Sequence, residues 1–461
     1  MSSGCVGLLR SGTVGGIVTP RLYRVRGSVY KAPASIPELF PEVPLHCSTV
    51  AYPDLYVQTA KGRELHGRIV IWTSYSLGVY AAFSYHTEPC RGAGLVKKDT
   101  AKGAPMKAAI FYGGKDIRVE ETPIPEPGPG EVLFRVRSGG ICGSDLHLYR
   151  GQYPYGAREP HQRGHELAGE VVALGPGVTG LSVGQRIGIE AEHLLGCGTC
   201  RYCVRGEHHL CPTRGFRHGE RQESHGFSEY DICVATNCHP LPDHVSYDAA
   251  ALLDCYACGV HALHRVDLTP NDSIVVLGTG AIGMTLAQVA KAYGVGRVIM
   301  IGTRPEPLAI ASAAGAADDG VMNTPDDPLQ AVLALTHGEG VDAVFETVGG
   351  NAPTINQGIG MARRGGVMSI LGIFTQAPDL DAKTAYRKEL RLQWANSFSR
   401  WHGVSEYQMA IDLLASGRLN PAPIITTHFP LEQIGAAFAA AEDKKPPEPS
   451  RLWYMPRRAA M

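Results

Sequence analysis

This chain of 461 residues carries almost no net charge: 43 lysines and arginines stand against 44 aspartates and glutamates, a formal charge of −1. A protein so balanced has no whole-molecule field to draw in a polyanion, and nucleic acid is not expected as a partner. Long apolar runs are missing as well. The longest weakly polar stretch, Ile274 to Ala290, is broken by Gly278, Thr279, Gly280, Gly283, Thr285 and Gln288. It falls short of the ~20 residues a spanning helix needs, so no membrane segment is expected. Self-similarity at roughly 20 to 50 residues, the mark of solenoids and propellers, is absent. The 12 cysteines are too few and too unevenly placed for a secreted disulfide scaffold, because four of them crowd between Cys197 and Cys211. Metal binding is the better reading, and a cytoplasmic location is expected.

Glycine is plentiful, at 55 residues against a usual ~7%, so backbone turns matter here. At roughly 150 residues per domain the length suggests two or three units. The first 105 residues stand apart: basic residues outnumber acidic ones, Pro, Gly and Ser recur, and no run keeps a helical or strand period. Arg68 to Ser84 is nevertheless apolar enough to form local structure. The earliest part, with arginines and a lysine but no acid, is faintly like an organelle transit peptide. The stronger expectation is a disordered extension without catalytic role, such as a start codon placed too far upstream would produce.

At Met106 a different texture begins, with short strands broken by Gly and Pro turns, as in a barrel-like β domain. From Ser273 to about Asn396 strands alternate with helices. IVVLG (Ile274 to Gly278), a helix from Ile282 to Tyr293, RVIMI (Arg297 to Ile301), a helix from Pro307 to Ala314 and VDAVFETVG (Val341 to Gly349) follow one another. That order means α/β architecture with a parallel, doubly wound sheet. A helix (Ser405 to Ser416) and a strand (Arg451 to Met455) are left over to return to the first domain. The expected units are 1–105, 106–255, 256–395 and 396–461.

Three motifs carry chemistry. Cys197, Cys200, Cys203 and Cys211 are spaced two, two and seven residues apart, and thiolates at such intervals can close a tetrahedron around zinc. Four thiolates leave no open position, so that metal would be structural. An iron–sulfur cluster is the rival reading, weakened by the wide last interval. The second motif is CGSDLH, with Cys142, Ser144 and His147, followed by GHE with His165 and Glu166. A thiolate and an imidazole need a third donor, and Asp254, a carboxylate in an otherwise apolar run, is the candidate. Three protein donors and one open position describe a catalytic zinc, which can bind and acidify an alcohol. Taken singly, each of these residues is more often structural.

The third motif, VVLGTGAIGM, places Gly278, Gly280 and Gly283, with Ile282 between the last two, at a strand-to-helix turn. In that context the triplet reads as a dinucleotide fingerprint, with pyrophosphate at the helix N-terminus. About 20 residues further on, an NAD site usually offers an acid to the ribose. Here that place reads Gly302, Thr303, Arg304, which favours NADP over NAD.

Together these residues resemble the zinc-dependent medium-chain dehydrogenases, the alcohol, sorbitol and threonine dehydrogenase group. The resemblance covers nearly everything from Met106 to Met455, including GHELAGEVVALGPGVTGLSVGQRI and LLASGRLNPAPIITTHFPLEQIGAAF. It implies a GroES-like catalytic domain holding one catalytic and one structural zinc, a Rossmann domain for NAD or NADP, and a homodimer or homotetramer. Position by position it implies Cys142 and His165 as catalytic zinc ligands and Glu166 as an acid beside the metal. Asp254 stands where alcohol dehydrogenases have cysteine and sorbitol dehydrogenases glutamate. Ser144 would pass the alcohol proton toward His147, and hydride would go to the nicotinamide. The expected substrate is a secondary alcohol, most simply a polyol or sugar alcohol, with threonine as the alternative. Two competing readings are a zinc-free quinone reductase, which would lack the cysteine loop, and a zinc-stabilised binding module, which would need a basic, aromatic-rich face.

Overall fold

The computed structural model describes residues 50–58, 64–74, 78–85, 104–151, 161–162, 164–190, 196–213, 226–324, 327–443 and 452–455. Two units divide the chain, Met1–Asp99 and Thr100–Met461. In the first, strands Val50–Gln58, Glu64–Ser74 and Gly78–Tyr85 form an antiparallel three-stranded sheet. The stretch expected to form local structure supplies much of the second and third strands; its Ile, Val, Trp, Thr and Tyr residues suit a pleated sheet. The rest of 1–103 lies outside the described residues, and the expectation of disorder there with it.

The second unit begins with the β domain. One sheet runs in the order Cys238–Pro240, Arg186–Ile189, Glu166–Leu174, Glu131–Gly140, Leu452–Met455, Thr427–Pro430, and Tyr230–Val234 also pairs with Glu131–Gly140. A smaller sheet joins Asp116–Pro123, Pro105–Gly113 and His161–Gln162. Phe438, on the late helix Ile434–Asp443, is fully buried in this domain. It meets Phe111 and Phe227 edge-on at 5.3 and 5.6 Å, the arrangement that the aromatic quadrupole favours. Residues far along the chain therefore complete the first domain's core.

The helix Leu253–His264 leads out of this domain and spans the boundary expected at 255/256. It packs on Ala281–Ala292 so closely that a Cβ on Gly259 would lie 3.0 Å from Cα of Leu286. Beyond it, six parallel strands lie in the order Asp319–Met322, Arg297–Gly302, Ser273–Leu277, Val341–Glu346, Ala362–Ile370, Arg391–Trp394. That is the 3-2-1-4-5-6 order of a doubly wound dinucleotide fold, whose ligands bind beyond the carboxyl ends of the strands. The central strands are covered on both faces, which explains why IVVL and VIMI read as unbroken apolar runs rather than alternating ones.

Candidate metal centres and cofactor cleft

Strand register brings the first donors together. Gly140 pairs with Glu166 across the antiparallel strands Glu131–Gly140 and Glu166–Leu174, so Cys142, two residues past one strand, falls beside His165, one residue before the other. Gly164 makes the sharp entry possible: its φ is +118°, and a Cβ there would lie 2.9 Å from the backbone nitrogen of Phe227. Cys142 caps the helix Gly143–Tyr149 in an extended conformation, and Asp145 accepts its backbone N–H at 2.8 Å. The ligand atoms of Cys142, His165 and Glu166 all lie within 4.8 Å of one another.

Asp254 approaches from the other side, in the first turn of Leu253–His264. It does not join that triplet; with Cys255 it forms a second group that shares Glu166, again within 4.8 Å. The Cys255 thiol donates to Oε1 of Glu166 at 3.4 Å. Burial disfavours a charged His165, yet the charges of Cys142, Asp145 and Asp254 outweigh it and raise its pKa well above the histidine norm. A field that holds a proton there suits a divalent cation equally, so this donor set fits a metal. Burial likewise pushes the Cys258 thiol up, with Asp254, Cys142, Glu166 and Glu406 adding to it. Ser144 and His147 sit three residues apart on the short helix, on one face, both half-buried.

The four-cysteine lobe is a separate site. Sγ of Cys203 lies 4.0 Å from Cys197 and 3.5 Å from Cys200, and Cys200 lies 3.8 Å from Cys211. A tetrahedron with Zn–S bonds of about 2.3 Å has edges of about 3.8 Å, so the cage already matches zinc. Backbone N–H groups of Cys197 and Cys200 donate to the sulfurs of Cys211 and Cys197. The Thr199 hydroxyl and nearby N–H groups draw the Cys197 thiol down to about 5, whereas burial pushes Cys203 up to about 12. Four sulfurs this close cannot all ionise without a cation among them, and the set fits one.

At the carboxyl end of Ser273–Leu277, Gly278 has φ +111°, and a Cβ there would lie 2.7 Å from Oγ1 of Thr347. Gly280 caps Ala281–Ala292, and a Cβ at that position would meet nothing within 4 Å. The helix start is thus open to a phosphate, with unpaired N–H groups facing it. Gly283 packs against the carbonyl of Gly278, and Ile282 follows the turn on the same helix. Gly302 is buried where a Cβ would lie 2.7 Å from Cγ2 of Thr279, so an acid is sterically unwelcome there. Thr303 is exposed, and Arg304 is the extended cap of Pro305–Ala313.

Sequence reasoning assigned no role to Asp145, Cys255 or Thr347. Asp145 could have been found from its place three residues after the cap Cys142, the capping-box interval. Thr347, whose hydroxyl donates to the Leu277 carbonyl at 2.7 Å beneath the glycine turn, follows the strand in VFETVG.

Comparison with known proteins agrees with this layout. Residues 128–243 match the family model for an alcohol dehydrogenase GroES-like domain, and residues 281–416 that for a zinc-binding dehydrogenase. A sorbitol dehydrogenase of Halalkalibacterium halodurans is 33% identical over 338 residues, 73% of this chain and 96% of that protein. An L-threonine 3-dehydrogenase of Xanthomonas axonopodis pv. citri is 32% identical over 74% of this chain and 97% of its own length. An alcohol dehydrogenase from E. coli CFT073, solved with NADH, superposes with a TM-score of 0.68 at 26% identity, covering 77% of this chain and all of that one.

Proposed function

Because the chain belongs to the zinc-dependent medium-chain dehydrogenases, we propose that it oxidises a secondary alcohol of a polyol or sugar alcohol. It is an NAD(P)-dependent enzyme acting on CH–OH groups. The observation that carries the proposal is the cleft donor set: Cys142 and His165 beside Glu166, with Asp254 reaching the same acid. Carboxylate donors in place of a third cysteine, together with the sorbitol dehydrogenase likeness, favour a polyol.

In this reading Cys142, His165 and a carboxylate from Asp254 or Glu166 would hold the catalytic zinc, and Cys197, Cys200, Cys203 and Cys211 would hold the structural one. Zinc in the cleft supplies Lewis-acid polarisation that makes the alcohol proton acidic near neutral pH. Asp145 braces the backbone of Cys142 and faces His165. The Ser144 hydroxyl accepts the substrate proton while passing its own to His147, which releases it to solvent. The N–H groups following Gly280, beside Ile282 and Gly283, would hold the pyrophosphate of a dinucleotide, which would supply the hydride acceptor. Thr303 and Arg304 would face its ribose end.

Two further parts of the proposal concern assembly and place. The strand Arg391–Trp394 is an edge of its sheet, and Trp394 there and Tyr386 nearby are 55% and 84% exposed, a surface that a second copy would cover. A homodimer or homotetramer is the reading, checked by light scattering of purified protein. Among the described residues no helix is long and apolar enough to cross a membrane. A thiolate lobe needs reduced cysteines, which suits the cytoplasm.

The test is turnover of sorbitol and other polyols, simple secondary alcohols and L-threonine with NAD and NADP, alongside zinc analysis. Polyol oxidation with two zincs per chain is expected. Threonine as the sole substrate would replace the polyol reading, and zinc without turnover on any of them would remove the enzyme reading.

A further inference from the structure

Away from the cleft, one buried carboxylate ties several elements together. Glu406 opens the helix Glu406–Ala415 and is 1% exposed. Its Oε2 accepts Nδ1–H of His261 at 2.7 Å and the backbone N–H of Ser399 at 2.8 Å; its Oε1 accepts Nδ1–H of His264 at 2.9 Å. Three donors offset the desolvation that would make an unpaired carboxylate prohibitive here. His264 stacks on Trp401 at 4.7 Å. With Nδ1–H spent on the carboxylate, the other ring nitrogen of His264, Nε2, pairs with the Tyr293 hydroxyl 3.1 Å away.

The same cluster carries the cysteine lobe. His209, between Cys203 and Cys211, sets its ring edge-on against His261 at 4.8 Å. Ser399 Oγ accepts the His208 N–H at 2.8 Å and donates to the Gly206 carbonyl, to which the Arg400 N–H also donates at 3.2 Å. His261 and His264 lie near the far end of Leu253–His264, about 10–15 Å along the rod from Asp254 at 1.5 Å per residue. A rod clamped at that end presents its first turn, with Asp254 and Cys255, at a fixed angle to Glu166.

We propose that Glu406 is a positioning residue for the reaction: it fixes the helix that presents Asp254 to the cleft donors and couples that helix to the seating of the cysteine lobe. The inference rests on the proposed placement of Asp254 among the catalytic metal's donors. It extends the set of functional residues to a group that touches neither substrate nor metal.

The test follows zinc release from the holoenzyme to a chromogenic chelator, well below the unfolding temperature of every variant used. The wild type should release two ions in two phases, the cleft phase being the one missing from Cys142→Ser. Glu406→Ala should speed both phases tenfold or more. Glu406→Gln should stay within threefold of wild type, because its carbonyl can accept from His261 and Ser399 while its amide donates to the other tautomer of His264. Both phases unchanged within twofold in Glu406→Ala, whatever its unfolding temperature, would overturn the proposal. If Glu406→Ala does not fold, His264→Phe keeps the stack on Trp401 and removes one donor; at least threefold faster release supports the role, and no change refutes it. A wild type without a cleft phase would instead remove the proposed function, and the lobe phase would still report on the clamp.

Discussion

Oδ1 of Asp145 lies 3.8 Å from Nδ1 of His165 while Oδ2 of the same carboxylate accepts the Cys142 backbone N–H at 2.8 Å. One acid thus faces one cleft donor and braces the other. Groups in this position set ring orientation and donor strength, and their loss typically costs roughly 10- to 100-fold in metal affinity. Asp145→Ala should weaken cleft zinc by that factor in chelator competition, with the four-cysteine zinc retained. Unchanged affinity would show that the carboxylate only caps its helix.

The two sites should respond differently to loss of one sulfur. Cys142→Ser is expected to leave a folded protein with less than a tenth of parental turnover. Cys203→Ser should release the lobe's zinc and lower the unfolding temperature, because closing the lobe around metal contributes to folding. Zinc analysis with a thermal melt checks both, and loss of lobe zinc with no change in melting would deny it a structural role.

Glu406 sets a pH dependence whose sign can be worked out. Burial opposes its ionisation, but the hydrogen bonds from His261 and His264, the charge of His261 and the Ser399 N–H win, bringing its pKa from 4.5 to about 2. Folding therefore favours the charged form: the stabilisation is complete above about pH 4.5 and is lost as pH falls toward 2. Its size is about 3 kcal/mol at 1.36 kcal/mol per unit. The gap in unfolding free energy between wild type and Glu406→Gln should accordingly narrow on acidification through that window. Denaturant titrations at a series of pH values measure it, and a constant gap would contradict the assignment.

Cofactor choice is expected to turn on Arg304. With Gly302 in the place of the acid, no carboxylate at that position repels a 2′-phosphate, and charge-assisted bonds from a guanidinium are worth about 1.5–3 kcal/mol. Arg304→Ala should raise KM for NADP roughly 10- to 100-fold and hardly move that for NAD. Equal effects on both cofactors, or a parent enzyme that prefers NAD, would rule out this role.

A chain shortened to begin at Met106 should keep full activity, since every candidate site residue lies beyond it and Met1–Asp99 forms a compact unit of its own. Loss of cofactor binding on truncation would show that the first unit contributes to the second.

What could be read from the sequence was local. The cysteine cluster is legible because four cysteines within one loop need no tertiary register to meet, and the glycine turn because strand, turn and helix are contiguous. Strands Ala362–Ile370 and Arg391–Trp394 were not legible: ARRGGVMSI mixes charge and paired glycines into a buried strand, and RLQW is short and half polar. The same limit hides the contact of Cys255 with Glu166, since 89 residues separate them. Glu406 gives no local sign of its role because its histidine partners lie 145 and 142 residues away. A carboxylate at the start of an amphipathic helix reads as an ordinary solvated first-turn acid until the fold buries it.

The pairing of Trp453 with Gly140 and of Tyr454 with Gly139 joins strands made about 310 residues apart. At roughly 5–20 residues per second of synthesis, the strand that leads to Cys142 waits about 15 to 60 seconds for that neighbour. The six strands from Ser273 to Trp394 emerge in the meantime and contain all their partners among themselves. Order of manufacture therefore favours a nucleotide-binding half that forms early and a metal-binding half whose sheet is completed late, leaving the Gly139–Gly140 edge bare on the nascent chain longer than any other edge that the described strands later pair.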